Sequence, residues 1–200
     1  MELLKLKEYL TGRNPRPAEL RRPSAVLVLL AEDELVLEVR ARSLRRQPGE
    51  ICLPGGGMEP EETAVDCALR ETEEELGLPR QEIAVLGQMD YLLHSNGQTV
   101  YPVLARCDKA LLSALRPNDR EVERVFTVPL DFFRQTAPCE YQYHQKSVPG
   151  DRTPPPIAEN LASYPTLRRG PYWMWQDCCI WGLTARIIGL LLETLEAAGA

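Results

Sequence analysis

Histidine is nearly missing from this chain. Only His94 and His144 occur in 200 residues, far apart in sequence, which argues against a metal centre built from imidazole ligands. Six cysteines stand at positions 52, 67, 107, 139, 178 and 179 with no Cys-x-x-Cys pair, so the spacing of a zinc site is absent too. A chain of this length needs no disulfide scaffold, and reduced thiols are expected. Adjacent Cys178 and Cys179 lack a neighbouring charge that would activate them, and both are read as buried thiols. Long apolar runs are also missing. The longest, residues 180–192, is too short to cross a bilayer and contains Arg186. The first ten residues read as a short amphipathic helix rather than a basic segment leading into an apolar one. A soluble, cytoplasmic protein with neither membrane nor nucleic acid as partner is the expectation.

What the chain does have is acid, and it is concentrated. Net charge is −6. Residues 56–78 hold eight acids (Glu59, Glu61, Glu62, Asp66, Glu71, Glu73, Glu74 and Glu75) against one base, Arg70. That stretch alone carries −7, so the rest of the chain is close to neutral.

Around it the pattern is that of one domain over residues 1–200, with strands and helices intermixed. Two runs, 24–30 and 35–40, flank the polar turn 31–34 and predict a hairpin. A short strand at 51–53 runs into Pro54-Gly55-Gly56-Gly57. A helix is predicted from Pro60 or Glu61, with Gly77 just past its end and Pro79 beyond. Runs 83–93 and 99–107 flank Ser95-Asn96-Gly97-Gln98, a second hairpin signal because Asn-Gly accepts positive φ. A helical stretch is expected at 109–115 and strands at 123–128 and 139–148. Six prolines between 149 and 171 suggest a long irregular loop. An apolar helix over 180–197 closes the chain, either in the core or as a homodimer interface. Trp173, Trp175 and Trp181 are read as core or interface residues.

On a helix turning about 100° per residue, Glu75 lies about 40° to one side of Glu71 and Glu74 about 60° to the other. The three acids therefore share a face, and Val65, Leu69 and Leu76 form a core-facing stripe roughly 120° to 160° away. Glu62, Asp66 and Glu73 fall on the solvated side, and Arg70 is placed to pair with Asp66 and Glu74, four residues away on either side. Like charges at i, i+4, and acids in the last turn, each cost a few tenths to about 1 kcal/mol. All these penalties have one sign, and a divalent cation relieves them together. Magnesium suits such a site, being hard, octahedral and content with a few carboxylates and waters. A glycine carbonyl from the preceding run, Gly55, is a further candidate ligand.

An acidic helix face is ordinarily only a solvated surface. Here the spacing decides otherwise. Gly56, Glu62, Arg70, Glu71, Thr72, Glu74, Glu75, Gly77 and Leu78 match G-x5-E-x7-R-E-U-x-E-E-x-G-U, where U is bulky and apolar. Only Thr72, at an apolar position, departs from it. Seven fixed matches arise by chance at roughly one start in 10⁸. The segment is identified as a Nudix box over 56–78. Upstream, Arg40-Ala41-x3-Arg45-x3-Gly49-x3-Leu53-Pro54-Gly55-Gly56 resembles the signature of coenzyme A pyrophosphatases, with Leu53 in place of the usual Phe. Residues 121–130 and 180–187 are similar to downstream segments of that subfamily.

The resemblance implies a Nudix α/β/α sandwich with a mixed β-sheet and a loop–helix–loop metal site. It implies hydrolysis of the coenzyme A diphosphate, free or as a thioester, to 3′,5′-ADP and 4′-phosphopantetheine or its acyl form. Glu71, Glu74 and Glu75 would hold Mg²⁺ or Mn²⁺, which polarises the diphosphate and acidifies a water. Arg70 would orient the site. The base stays open among Glu74, Glu75 and Glu121. Arg40, Arg45, Gly49, Gly55 and Gly56 would bind substrate, since arginine meets phosphate oxygens through paired hydrogen bonds. The alternatives are a Nudix enzyme for ADP-ribose or a dinucleotide, and a non-catalytic binding module.

Overall fold

The computed structural model describes residues 2–13, 22–93, 97–156, 158 and 166–199. The N-terminal helix α1, Glu2–Thr11, forms as expected and is exposed from Leu3 to Thr11. Strand β1, Ser24–Ala31, is buried at nearly every position, as befits a strand covered on both faces. It turns tightly at Glu32-Asp33 into β2, Glu34–Arg40, with Ala31 opposite Glu34. Strands β3 (Ile51–Cys52) and β4 (Gly55–Gly57) follow. The glycine run is itself a strand: β4 pairs antiparallel with β1, Gly55 to Gly57 lying opposite Val26 to Ser24. Helix α2, Ala64–Leu76, comes next. It starts later than predicted, because Glu61 takes positive φ and the Thr63 hydroxyl caps the helix by accepting from the Asp66 amide.

A 3-10 turn at Arg80–Glu82 leads to the exposed edge strand β5, Ala84–Gln88. Strand β6, Leu92–Leu93, pairs antiparallel with β7, Thr99–Cys107. The second hairpin is thus present, although Ser95 and Asn96 of its turn lie outside the described residues. Lys109–Ala114 is 3-10 helical, β8 spans Val122–Pro129, and α3 spans Leu130–Gln135. The main sheet runs β3-β2-β1-β7-β5, with β4 on β1, β6 on β7 and β8 on β2. Its β1–β7 pair is parallel and the others antiparallel, so the sheet is mixed.

The final third differs most from expectation. Strand β9, Cys139–Gln145, pairs with β10, Thr166–Trp175, and β10 with β11, Cys178–Trp181. The proline-rich segment therefore becomes strand at Thr166, and the closing helix α4 begins only at Gly182, spanning Gly182–Ala198. Pro171 is accommodated in β10 opposite Glu140. Two cores lie on opposite faces of the sheet. One joins Ala25, Leu27 and Leu29 of β1 to Ala64, Cys67, Ala68 and Leu76 of α2. The other joins Val28, Leu35 and Leu37 to Trp173 and Ile180 of the small sheet and to Ala185, Ile187, Ile188 and Leu191 of α4. The apolar face of α4 is thus spent within the chain. Trp173 is buried, its indole N–H donating to the Thr136 carbonyl at 2.8 Å, whereas Trp181 and Cys179 are exposed on the outer face of the small sheet. All six thiols are free, and Cys178 is buried as expected.

Candidate active site

Small residues let α2 approach the sheet closely. Ala64, Cys67 and Ala68 are buried against β1, while Val65 and Leu69 of the predicted stripe are only half-buried. The helix is therefore rotated so that Glu71 and Glu75 face β4. At Gly56 a Cβ would fall on the Glu71 carboxylate, so any larger residue there displaces that carboxylate. Glu75 is buried, and its Oε2 accepts from the Gly55 amide at 2.8 Å. So Gly55 contributes its N–H to the site. Glu74 turns outward, more than half exposed. Thr72, the departure from the box, is fully buried; its hydroxyl donates to the Ala68 carbonyl at 2.7 Å and so needs no outside partner.

Arg70 organises the face, pairing with Glu74 as expected but not with Asp66. Its guanidinium meets Glu62 Oε1 at 2.9 Å, Glu71 Oε1 at 2.8 Å and Glu74 Oε2 at 3.4 Å. Asp66 pairs with Arg80 instead, at 3.7 Å. Glu62, expected in solvent, folds back to accept from the Glu59 amide at 2.8 Å, so the first acid of the box fastens the loop to the helix. Arg70 holds the Glu62 carboxyl down at about 2, and its own pKa is raised in return. Arg22 Nε and Nη2 donate to the carbonyls of Met58 and Gly57 at 2.6 and 3.0 Å, tying down the start of the same loop.

The C-terminal end of α2 brings in distant groups. Gly77 ends the helix at φ 66°, its amide donating to the Glu73 carbonyl. The orphan carbonyls of Leu76 and Glu75 accept from the amides of Arg116 and Asn118, at 2.9 and 2.8 Å. That wraps the 115–122 segment over the helix end and sets Glu121 beside the end of β2, where its carbonyl accepts from the Ala41 amide at 2.8 Å. On β2, Glu38 is 1% exposed and faces the same interior. Its Oε1 accepts from the Cys52 thiol at 3.2 Å. Glu38 Oε2 and Arg40 Nε are the buried side-chain polar atoms without a hydrogen-bond partner among the described residues. Burial, with the Glu38 charge next, pushes Glu75 up to about 9, against the opposing pull of the Gly55 amide. Burial likewise raises Glu38 to about 7, while the Cys52 thiol and Arg40 pull it down. Burial and the Glu38 charge raise the Cys52 thiol in turn.

The predicted residues are thus partly assembled. Glu71 and Glu75 line β4, Arg70 bridges Glu71 and Glu74, Arg40 lies within electrostatic reach of Glu38, and Glu121 of both Glu38 and Glu75. Gly49 closes the turn after β2, its amide donating to the Arg40 carbonyl at 3.0 Å. Arg45 stands apart, exposed on the 42–48 loop. Among the described residues no three acid, thiol or imidazole groups are gathered as a ready metal shell. The donor set nonetheless fits a hard divalent cation: oxygen ligands only, in excess of local positive charge, beside a backbone that glycine keeps close. Glu38 and Cys52 are the residues that sequence reasoning missed. An acid among the apolar residues of a buried strand was the available signal.

A mixed sheet carrying a glycine strand, and on it a helix with inward carboxylates, defines a hydrolase of the Nudix type. The NUDIX domain family model matches residues 20–148, and the chain belongs to that family. An uncharacterized Nudix hydrolase, NudL, of Photorhabdus laumondii is 32% identical over 163 residues, covering 81% of this chain and 77% of that protein. The human mitochondrial coenzyme A diphosphatase NUDT8 is 31% identical over 198 residues, covering 96% of this chain and 77% of that protein. The fold also resembles the crystal structure of a MutT/nudix family protein from Enterococcus faecalis, with a TM-score of 0.50 and 14% identity over 97% of this chain and 70% of that one. The chain is therefore an enzyme, a Nudix diphosphatase. No described helix is long and apolar enough to cross a membrane.

Proposed function

We propose that this chain hydrolyses the diphosphate of coenzyme A or its thioesters, releasing 3′,5′-ADP and 4′-phosphopantetheine or its acyl form. The observation that carries the reading is the buried Glu75 carboxyl on the Gly55 amide, with Glu38, Glu71 and Glu121 around it and Arg40 at its border. Such a group of acids is stable as anions only beside a cation. Glu71, Glu74 and Glu75 are assigned to hold Mg²⁺ or Mn²⁺, which supplies charge neutralisation at the diphosphate and an acidified water. Arg70 holds Glu71 and Glu74 in register on the helix. Glu75 and Glu121 border the same volume, and one of them receives the proton of the attacking water. The water oxygen bonds to one phosphorus and the bridging P–O bond breaks.

Substrate choice is assigned to the segment ahead of β4. Arg40 borders the site, and exposed Arg45 on the 42–48 loop is free to reach a phosphate farther out. The similarity to NUDT8 over nearly the whole chain favours coenzyme A over other nucleoside diphosphate derivatives. Incubation with Mg²⁺ and coenzyme A, an acyl-coenzyme A, ADP-ribose and a dinucleotide separates the readings. Release of 3′,5′-ADP from coenzyme A supports the assignment; turnover of ADP-ribose alone overturns it.

A further inference from the structure

Glu38 and Arg40 occupy the same face of β2, two residues apart, and each keeps one buried polar atom unpaired. One is an acceptor, Glu38 Oε2, and the other a donor, Arg40 Nε. Glu38 feels the Arg40 charge, yet the two side chains form no ion pair among the described residues. The cross-strand neighbour of Glu38 on β8 is Val125, and Val36 of the same face is fully buried. A strand with only a structural task here has no use for an acid, because a half-satisfied buried carboxylate is costly and an apolar side chain is not. The Cys52 thiol fixes one oxygen of Glu38 and so aims the other. Beside this pair the β2–β8 register shifts between Val39 and Arg40, where β8 carries one extra residue, Glu123.

We propose that Glu38 is a positioning residue for Arg40. When a substrate phosphate draws the guanidinium inward, Arg40 Nε–H closes on Glu38 Oε2, and the remaining face of the guanidinium is presented to the phosphate. The two unpaired atoms satisfy each other only in the substrate-bound arrangement, so their pairing strengthens binding instead of the free fold. This rests on the reading of Arg40 as a phosphate contact, but not on coenzyme A as the substrate.

A double-mutant cycle on the full chain tests it, using whichever diphosphate the substrate panel shows to be turned over. E38Q and R40A are each expected to raise KM about tenfold, as loss of a charge-assisted hydrogen bond implies, with kcat changed less. In the R40A background E38Q adds little, and E38D restores part of the loss. The Mn²⁺ affinity of E38Q, read by electron paramagnetic resonance without substrate, stays close to wild type, and its melting temperature does not fall. If R40A leaves KM unchanged, the reading of Arg40 fails and the proposal with it. If R40A raises KM but E38Q acts additively, the proposal alone fails. A fall in Mn²⁺ affinity in E38Q with unchanged KM overturns it in favour of a metal ligand, and a lower melting temperature with unchanged KM in favour of a structural role.

Discussion

Replacing Glu75 by glutamine is expected to make the metal-free protein more stable while abolishing its activity. Glu75 ordinarily titrates near 4.5 but is raised to about 9 in the fold, mainly by burial. Between those values the folded chain binds a proton that the unfolded chain does not, so stability falls as pH rises through the window. At pH 7, with about 1.36 kcal/mol per pH unit, holding that proton costs the folded state about 3 kcal/mol. Glutamine has the same shape and no proton to acquire, and its oxygen still accepts from the Gly55 amide. Burying its amide nitrogen returns about 1 kcal/mol, leaving a gain of about 2 kcal/mol. For a chain of this size that is about 4–8 °C in melting temperature. The assay is thermal unfolding of wild type and E75Q in EDTA at pH 5, 7 and 8.5. The difference should be small at pH 5 and grow with pH. Saturating Mg²⁺ should reverse the order, because only the wild type gains strongly from ligand binding. An E75Q variant that melts below wild type at pH 7 in EDTA, or a difference independent of pH, refutes the reasoning.

Three further substitutions probe the frame of the site. G56A pushes a Cβ into the Glu71 carboxylate and is expected to lower kcat/KM about 100-fold with little change in circular dichroism, since a displacement near 1 Å is enough for such a loss. T72V removes a hydroxyl bonded only to the Ala68 carbonyl, so a melting change under about 1 kcal/mol and unaltered turnover are expected. T63A removes the cap of α2 and should cost about 1 kcal/mol in denaturant unfolding, without changing the Mg²⁺ dependence of turnover.

The position of the site was legible because the box fixes spacing over one helix and its two flanks. Where α2 starts was less so. Pro60 and Glu61 look like a first helical turn, but the loop needs them to carry Glu62 back to Arg70, and Thr63 takes the cap. Helical periodicity placed Glu71, Glu74 and Glu75 together, yet it could not reveal that alanine and cysteine allow the sheet to approach from the acid side. That approach is what separates inward Glu71 and Glu75 from outward Glu74. In the last third, β10 hid behind prolines and β11 behind the apolar run of the closing helix. Ile180 is equally at home in a buried strand or a buried helix, and only pairing with Trp173 decides it. Glu38 escaped notice because most of the groups around it are distant in sequence; Cys52, Glu75 and Glu121 arrive from three other elements.

The most direct measurement is an electron paramagnetic resonance titration of Mn²⁺ into wild type, E71Q and E75Q, with diphosphate hydrolysis followed on the same samples. Wild type should bind Mn²⁺ and turn over in proportion to its occupancy, and both variants should lose affinity and turnover together. Unchanged Mn²⁺ affinity in both variants, or full hydrolysis in EDTA, would contradict a cation held by the acids of α2.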